Sequence, residues 1–234
     1  MKRVTQFTRP SRSLDYCAFH YLNQYLEQDR RFIGWLRRGT RTTRLDALKE
    51  AATFYRVART LRTEESGLDT KARYGFLLRE LESARNSGAY ACTTTRILAI
   101  DCAARTHYEN RSVISLITKM LWLYVKRPVI LYDGNACLGL GLSKGDELAL
   151  FTEKWRLEYR RRIPEIQKAC SKLHKLHLYA RTPKTIWGEE PVRYSADQIR
   201  LLAKKKWFQE RVFDMYLWHY GSDIEDLKKR QAIS

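Results

Sequence analysis

Apolar residues recur at helical spacing through most of the chain. The first segment of this kind contains Leu14, Phe19, Leu22, Tyr25 and Leu26, and a second one runs over residues 45–58. A spacing of three to four residues places side chains on one face of a helix, so both segments are predicted to be amphipathic helices. Between them, residues 37–44 combine four Arg with Gly and Thr, a composition that predicts a loop. Thr43 or Asp46 would cap the helix that follows.

The same period predicts helices through the rest of the chain. They cover residues 69–83, 90–105 and 115–124, a short segment after Asp133, residues 145–162, a long segment after Pro164, and residues 195–220. Only residues 127–132 are predicted to be extended, and the Pro and Gly residues of 182–191 predict the longest loop. The pattern therefore predicts an all-α fold, with one domain over residues 1–234 and lobes at 1–105 and 106–234.

The charge of the chain changes the range of partners to consider. Lys and Arg number 44 against 26 Asp and Glu, which gives a formal charge of +18. This excess is spread through the predicted helices rather than held in one tail, and it indicates a polyanionic partner such as nucleic acid. A basic ribosomal protein or a protein at a membrane surface would share this charge, so charge alone does not choose among these classes.

The cysteine pattern and the length of the apolar segments indicate the cellular compartment in which the protein works. Five Cys without a Cys-x-x-Cys pair argue against a disulfide framework and a Cys-rich zinc site. The chain start lacks the apolar stretch of a signal peptide, and no segment approaches the ~20 apolar residues of a membrane span. We therefore expect a cytoplasmic protein without a membrane partner. His107 and Glu109 lack the rest of a zinc deaminase motif, and His174 and His177 lack a third ligand, so neither a metal nor a cofactor is expected.

Two residues carry the candidate chemistry. Lys119 stands in an apolar stretch, residues 114–122, where a solvent-facing helix would normally carry polar neighbours. One interpretation is a Lys whose stem covers the core while its amine reaches water. The other is a partly desolvated amine, which gives up its proton more easily and becomes nucleophilic near neutral pH. Asp133 precedes Gly134, Asn135 and an apolar run, an arrangement that predicts a helix N-cap.

The residues around Lys119 and Asp133 resemble a known family. Residues 114–122 (ISLITKMLW), then 129–133 (VILYD) and Asn135-Ala136, are similar to a bacterial group with the 8-oxoguanine DNA glycosylase fold, within the helix-hairpin-helix DNA glycosylase superfamily. That group carries a similar Ser-x-x-(Ser/Thr)-Lys helix and an (Ile/Leu)-Tyr-Asp step. Residues 211–221 (RVFDMYLWHYG) also resemble its closing helix. The resemblance spans about half the chain with gaps, and the Gly residues usual in the family hairpin are missing from residues 110–114.

The resemblance implies a helix-hairpin-helix DNA glycosylase-like fold, with two helical lobes around a central cleft. Mapped by motif, Lys119 would attack the sugar carbon to form a Schiff base. Asp133 would support the positive charge that builds on the sugar as the base departs. Contacts to the DNA backbone would come from Arg111 and the amides around Ser112, together with Asn110 and Ser115.

Aromatic residues are the candidates for holding an extruded base. Most of the Trp residues should pack in the core, because large aromatics at helical spacing usually point inward. Tyr132 and Trp155 are the first candidates to stack on the base, since both lie close in sequence to Asp133 and its helix. Trp122 is the third candidate.

The sequence therefore predicts a DNA glycosylase, with or without abasic-site lyase activity, that acts as a monomer on double-stranded DNA. The excised base is an oxidised purine if the family resemblance holds in detail, or a modified phage base if the protein serves antiviral defence. The main alternative is a non-catalytic basic helical nucleic-acid-binding protein, in which Lys119 contacts phosphate and Asp133 only caps a helix. A protein whose basic surface meets an acidic partner is a weaker alternative. A pocket around Lys119 would favour catalysis, and an open face would favour binding.

Overall fold

A computed structural model of the protein describes residues 11–58, 70–86, 93–108, 111–183 and 191–233. These residues form helices joined by turns and irregular links, and no strand occurs among them. The predicted all-α class is confirmed. Among the helices described, none has both the length and the apolar character that crossing a membrane requires.

The chain divides into two compact units, and neither is continuous in sequence. Unit 1 comprises residues 1–22, 133–180 and 194–234, and unit 2 comprises residues 23–132 and 181–193. Lys119 thus belongs to unit 2 and Asp133 to unit 1. The lobes predicted from sequence, which divide the chain near residue 105, stay a prediction.

Unit 2 is built around one apolar helix. α1 (Leu14–Gln24) enters unit 2 after Leu22 and is followed there by a π-helical turn, Tyr25–Asp29, and by α2 (Arg30–Arg38), α3 (Arg41–Phe54), α4 (Thr70–Asn86), α5 (Thr93–Arg105) and α6 (Ile114–Val125). α6 contacts α2, α3, α4 and α5, and every residue from Leu116 to Tyr124 is buried. This central position explains why α6 is apolar on nearly all sides.

Unit 1 is organised by its last helix. It contains α7 (Gly134–Gly139), α8 (Leu148–Ser171), a 3₁₀ helix (Leu173–Tyr179), α9 (Ala196–Ala203) and α10 (Lys206–Ile233), and α10 packs against α7, α8 and α9. The backbones of α7 and α10 approach so closely that a Cβ at Gly139 would lie 2.6 Å from the Leu217 carbonyl oxygen. A Cβ at Gly221 would overlap the Asn135 carbonyl oxygen. Glycine is therefore required on both helices.

The loop predicted for residues 37–44 is wrong. α2 continues to Arg38 and α3 begins at Arg41, so that only Gly39 and Thr40 separate the two helices. Arg is a good helix former, and its clustering therefore did not mark a loop. The cap predicted at Thr43 or Asp46 is also wrong, since the Thr40 hydroxyl accepts the Thr43 backbone N–H at 3.3 Å. The turn is this short because Gly39 lacks a Cβ, which would lie 2.5 Å from the Trp35 carbonyl oxygen.

Two helix boundaries in unit 1 also differ from the prediction. Pro164 lies inside α8, which runs unbroken from Leu148 to Ser171, whereas two helices were predicted. A proline removes one backbone donor, and the packing of the rest of this 24-residue helix outweighs that loss. Conversely, the single helix predicted over residues 195–220 is divided into α9 and α10 by a turn at Lys204 and Lys205.

Candidate active site

The Lys119 amine is buried in unit 2. The residue is 7% exposed, and its Nζ donates a hydrogen bond to the Ser115 hydroxyl oxygen at 2.9 Å. Residues four apart lie on the same face of a helix, so α6 itself positions this pair. The amine therefore does not stand on an open helix face.

Thr118 connects α6 to the segment that leads to Asp133. Its hydroxyl donates to the Ser115 carbonyl oxygen at 3.2 Å and accepts the Tyr132 backbone N–H at 3.2 Å. Both Thr118 and Tyr132 are buried, so this bond replaces water on a backbone group that would otherwise be unsatisfied. The residue before Lys119 is thereby fixed to the residue before Asp133.

Asp133 caps α7, as its sequence context predicted. Its backbone is extended, with φ −149° and ψ 140°, and its Oδ1 accepts the Asn135 backbone N–H at 2.9 Å. A carboxylate at this position satisfies one of the unpaired donors of the first helical turn. The cap is confirmed, and the catalytic role of Asp133 stays a prediction.

Unit 1 also contains a buried carboxylate, Asp214, that was not among the site residues predicted from the sequence. Asp214 on α10 accepts the Trp155 indole N–H at 2.7 Å and pairs with Arg211 at 3.1 Å. Burial raises the pKa of Asp214 to about 6, and the charge of Asp133 acts in the same direction, against the lowering by Arg211 and Trp155. The signal in the sequence was a lone Asp within the apolar run 212–217.

The three aromatic candidates are all buried. Trp155 is 3% exposed and stacks on Tyr159, with ring centroids 4.9 Å apart and planes inclined by 15°. Trp122 is 1% exposed and belongs to the largest fully buried side chains, and Tyr132 is 8% exposed. The burial of Trp122 and the bond from Trp155 to Asp214 favour structural roles for these two, while base stacking by any of the three stays a prediction.

The link between α5 and α6 is organised by Asp101. This buried carboxylate accepts the Val113 backbone N–H at 2.6 Å and the Ser112 hydroxyl at 3.2 Å, and it pairs with Arg105 at 2.9 Å. The Ser112 hydroxyl and the neighbouring amide, predicted to contact a DNA phosphate, are thus bound to a carboxylate of the protein itself. The exposed Arg111 remains the candidate for such a contact. Asn110 lies outside the described residues.

Two further features involve neither Lys119 nor Asp133. His174 and His177 each place Nδ1 against a backbone carbonyl oxygen, at 2.7 and 3.1 Å, and no group of three metal-ligating side chains occurs in the part of the chain that the structure describes. A groove of about 470 Å³ on α2 and α3 is lined by Gln28, Arg31, Phe32, Asp46, Lys49, Glu50, Thr53 and Phe54, and none of these is a predicted site residue.

Comparison of the chain with models of known protein families, with curated proteins and with solved structures gave no match. The resemblance to helix-hairpin-helix DNA glycosylases thus rests on the motifs around Lys119, Asp133 and residues 211–221.

Proposed function

We propose that the protein is a DNA glycosylase of the helix-hairpin-helix type, acting as a cytoplasmic monomer on double-stranded DNA. The observation that carries the proposal is the buried Lys119 amine, held by Ser115 on the central helix of unit 2. A Lys that only contacts phosphate would extend its amine into solvent. A buried amine that is held by a hydroxyl on its own helix is instead suited to nucleophilic attack on a sugar carbon.

The bond between Thr118 and Tyr132 also supports the proposal. It binds Tyr132 to the turn of α6 that carries Lys119, and both partners of the bond lie in unit 2. Catalytic groups must be held within fractions of an ångström of their working geometry, and buried hydrogen bonds to the backbone supply that rigidity. In the proposed reaction Asp133 stabilises the charge on the sugar, and Lys119 attacks the carbon from which the base departs. The base is an oxidised purine or a modified phage base.

A non-catalytic nucleic-acid-binding protein remains the second candidate function. The observation that favours it is the Asp133 cap, because a carboxylate that binds Asn135 already has a structural purpose. The charge of +18 suits both functions equally.

Borohydride trapping on duplex DNA with an abasic site tests the proposal, together with base release from duplexes that carry 8-oxoguanine or a bulky modified pyrimidine. A glycosylase releases the base, and one with lyase activity also forms a covalent adduct that Lys119→Gln abolishes, because Gln lacks the nucleophile. Lys144→Gln, which changes an exposed Lys paired with Glu225, is the matched control. DNA binding without base release or trapping on any of these substrates would favour the second candidate.

A further inference from the structure

One hydrogen-bond partner of the Lys119 amine is a neutral hydroxyl, that of Ser115. Ser115 is half-buried and lies in the first turn of α6, and its oxygen accepts the hydrogen bond from Lys119 Nζ at 2.9 Å. A hydroxyl both accepts and donates. This contact therefore offers a route along which a proton can pass from the amine to the hydroxyl oxygen.

We infer that the Ser115 hydroxyl relays a proton from the Lys119 ammonium to the base as the base leaves the sugar. The inference rests on the proposed glycosylase function and assigns Ser115 a role other than contact with the DNA backbone. A relay through the Ser115 hydroxyl would satisfy two requirements of the reaction at once. The amine must lose a proton before it is a nucleophile, and the departing base must gain one.

The relay balances within the complex of protein and DNA. The bond between the base and the sugar breaks, and its electron pair stays on the base nitrogen. That nitrogen takes the proton of the Ser115 hydroxyl, while the hydroxyl oxygen takes one proton from Lys119 Nζ. The lone pair freed on Nζ then forms the bond to the sugar carbon. Serine ends as a hydroxyl, the base leaves neutral, and no further reactant is consumed.

Thr118 is less suited to this role, although it lies beside Lys119 on α6. Its hydroxyl donates to the Ser115 carbonyl oxygen and accepts from the Tyr132 amide, so both of its functions are committed to the backbone. The Ser115 hydroxyl accepts from Lys119 and donates to no other group among the described residues. Its hydrogen is available to a substrate.

Single-turnover base release and trapping on a pre-formed abasic site separate the relay from simple positioning of Lys119. Release requires a proton for the base, whereas no base departs from an abasic site, and the Lys119 ammonium can there give its proton to solvent water. For Ser115→Ala we expect release at neutral pH to fall by roughly 10²–10⁴-fold, the usual range for loss of proton transfer, and trapping to fall far less. Ser115→Thr keeps the hydroxyl and should restore release. Ser171→Ala removes an exposed hydroxyl that, among the residues the structure describes, bonds only the Lys168 carbonyl oxygen, and it serves as the control.

Every other result of these experiments contradicts either the proton relay or the proposed glycosylase function. An equal fall in release and trapping for Ser115→Ala would make Ser115 a positioning residue and overturn the relay. Unchanged release, or a change in DNA affinity alone, would overturn it as well. Thermal unfolding of the variants shows whether the fold is intact, and the Thr variant keeps the test decisive if Ala destabilises α6. If the parent protein neither releases a base nor is trapped, the proposed function itself is wrong.

Discussion

The Thr118 hydroxyl accepts the backbone N–H of Tyr132 at 3.2 Å, across fourteen residues of chain. Thr118→Val keeps the shape of the side chain and leaves this buried N–H unsatisfied. We expect a loss of about 1–3 kcal/mol in the free energy of unfolding, measured by urea denaturation. Thr118→Ser retains the hydroxyl and should lose less. A Val variant as stable as the parent would show that the bond contributes nothing to the link between α6 and the segment before Asp133.

Asp133 combines a confirmed cap with a proposed catalytic role, and two substitutions separate them. Asn caps a helix about as well as Asp, so Asp133→Asn should unfold at nearly the parental temperature, while Asp133→Ala should lose ~0.5–2 kcal/mol. The Asn variant removes the charge that would stabilise the sugar, so its base release should fall by roughly 10²–10³-fold. Measuring release and thermal unfolding on the same samples checks both. Parental rates in the Asn variant would reduce Asp133 to a cap.

The buried Asp214 should impose a pH dependence on stability. Burial raises its pKa from 3.8 to about 6, so the folded protein binds more protons than the unfolded chain between these values. Stability contributed by protonated Asp214 is therefore fully present below pH ~4 and is lost as the pH rises to about 6, by an amount near 3 kcal/mol.

Unfolding of the parent and Asp214→Asn, measured from pH 4 to pH 7, isolates this effect, because the other groups titrate in both proteins. The difference in unfolding free energy should change between pH ~4 and pH ~6 and stay constant above pH ~6. Asp197→Asn is the control, since Asp197 is a solvent-exposed partner of Arg200. A constant difference throughout would show that Asp214 titrates alike in both states.

Lys204, Lys205 and Lys206 form an exposed cationic surface at the turn between α9 and α10, and none of them pairs with an acidic side chain among the described residues. If this surface binds DNA phosphates, removing one Lys–phosphate interaction reduces the slope of log K against log salt by about 0.9. Replacing all three with Gln should therefore make the slope shallower by roughly two to three.

Fluorescence anisotropy with duplex DNA over a salt series measures the slope. Arg200→Gln is the matched control, because Arg200 lies on the neighbouring helix and is already paired with Asp197 at 2.6 Å. An unchanged slope in the triple variant would place the DNA-binding surface elsewhere on the protein.

The sequence predicted those features that depend on local pattern. The apolar period located α6, and the order Asp133, Gly134, Asn135 predicted the cap, because a cap is formed by side chains within a few residues of the helix start. The burial of Lys119 was one of two interpretations, and only the packing of four helices around α6 distinguishes them.

Features that depend on distant partners could not be predicted in this way. Asp101 and Asp214 are hydrogen-bonded to residues 12 and 59 positions away, and the local pattern around each Asp does not reveal these partners. Pro164 would ordinarily interrupt a helix, and its acceptance within α8 is decided by tertiary contacts of the whole helix. The hydrogen bond on which the proposed relay of Ser115 rests is seen only in the structure, where the Lys119 amine lies 2.9 Å from the Ser115 hydroxyl oxygen.

The close approach of α7 and α10 extends the set of positions at which substitution should abolish function. Gly221 is remote in sequence from every proposed catalytic group, yet a methyl group there would collide with the Asn135 carbonyl oxygen and push away the helix that Asp133 begins. Loss-of-function alleles are therefore expected at Gly221 and Gly139 in a random library. A screen that takes every inactivating substitution as evidence of substrate contact would wrongly count these two glycines as substrate-binding residues, although they are needed for the packing of α7 against α10.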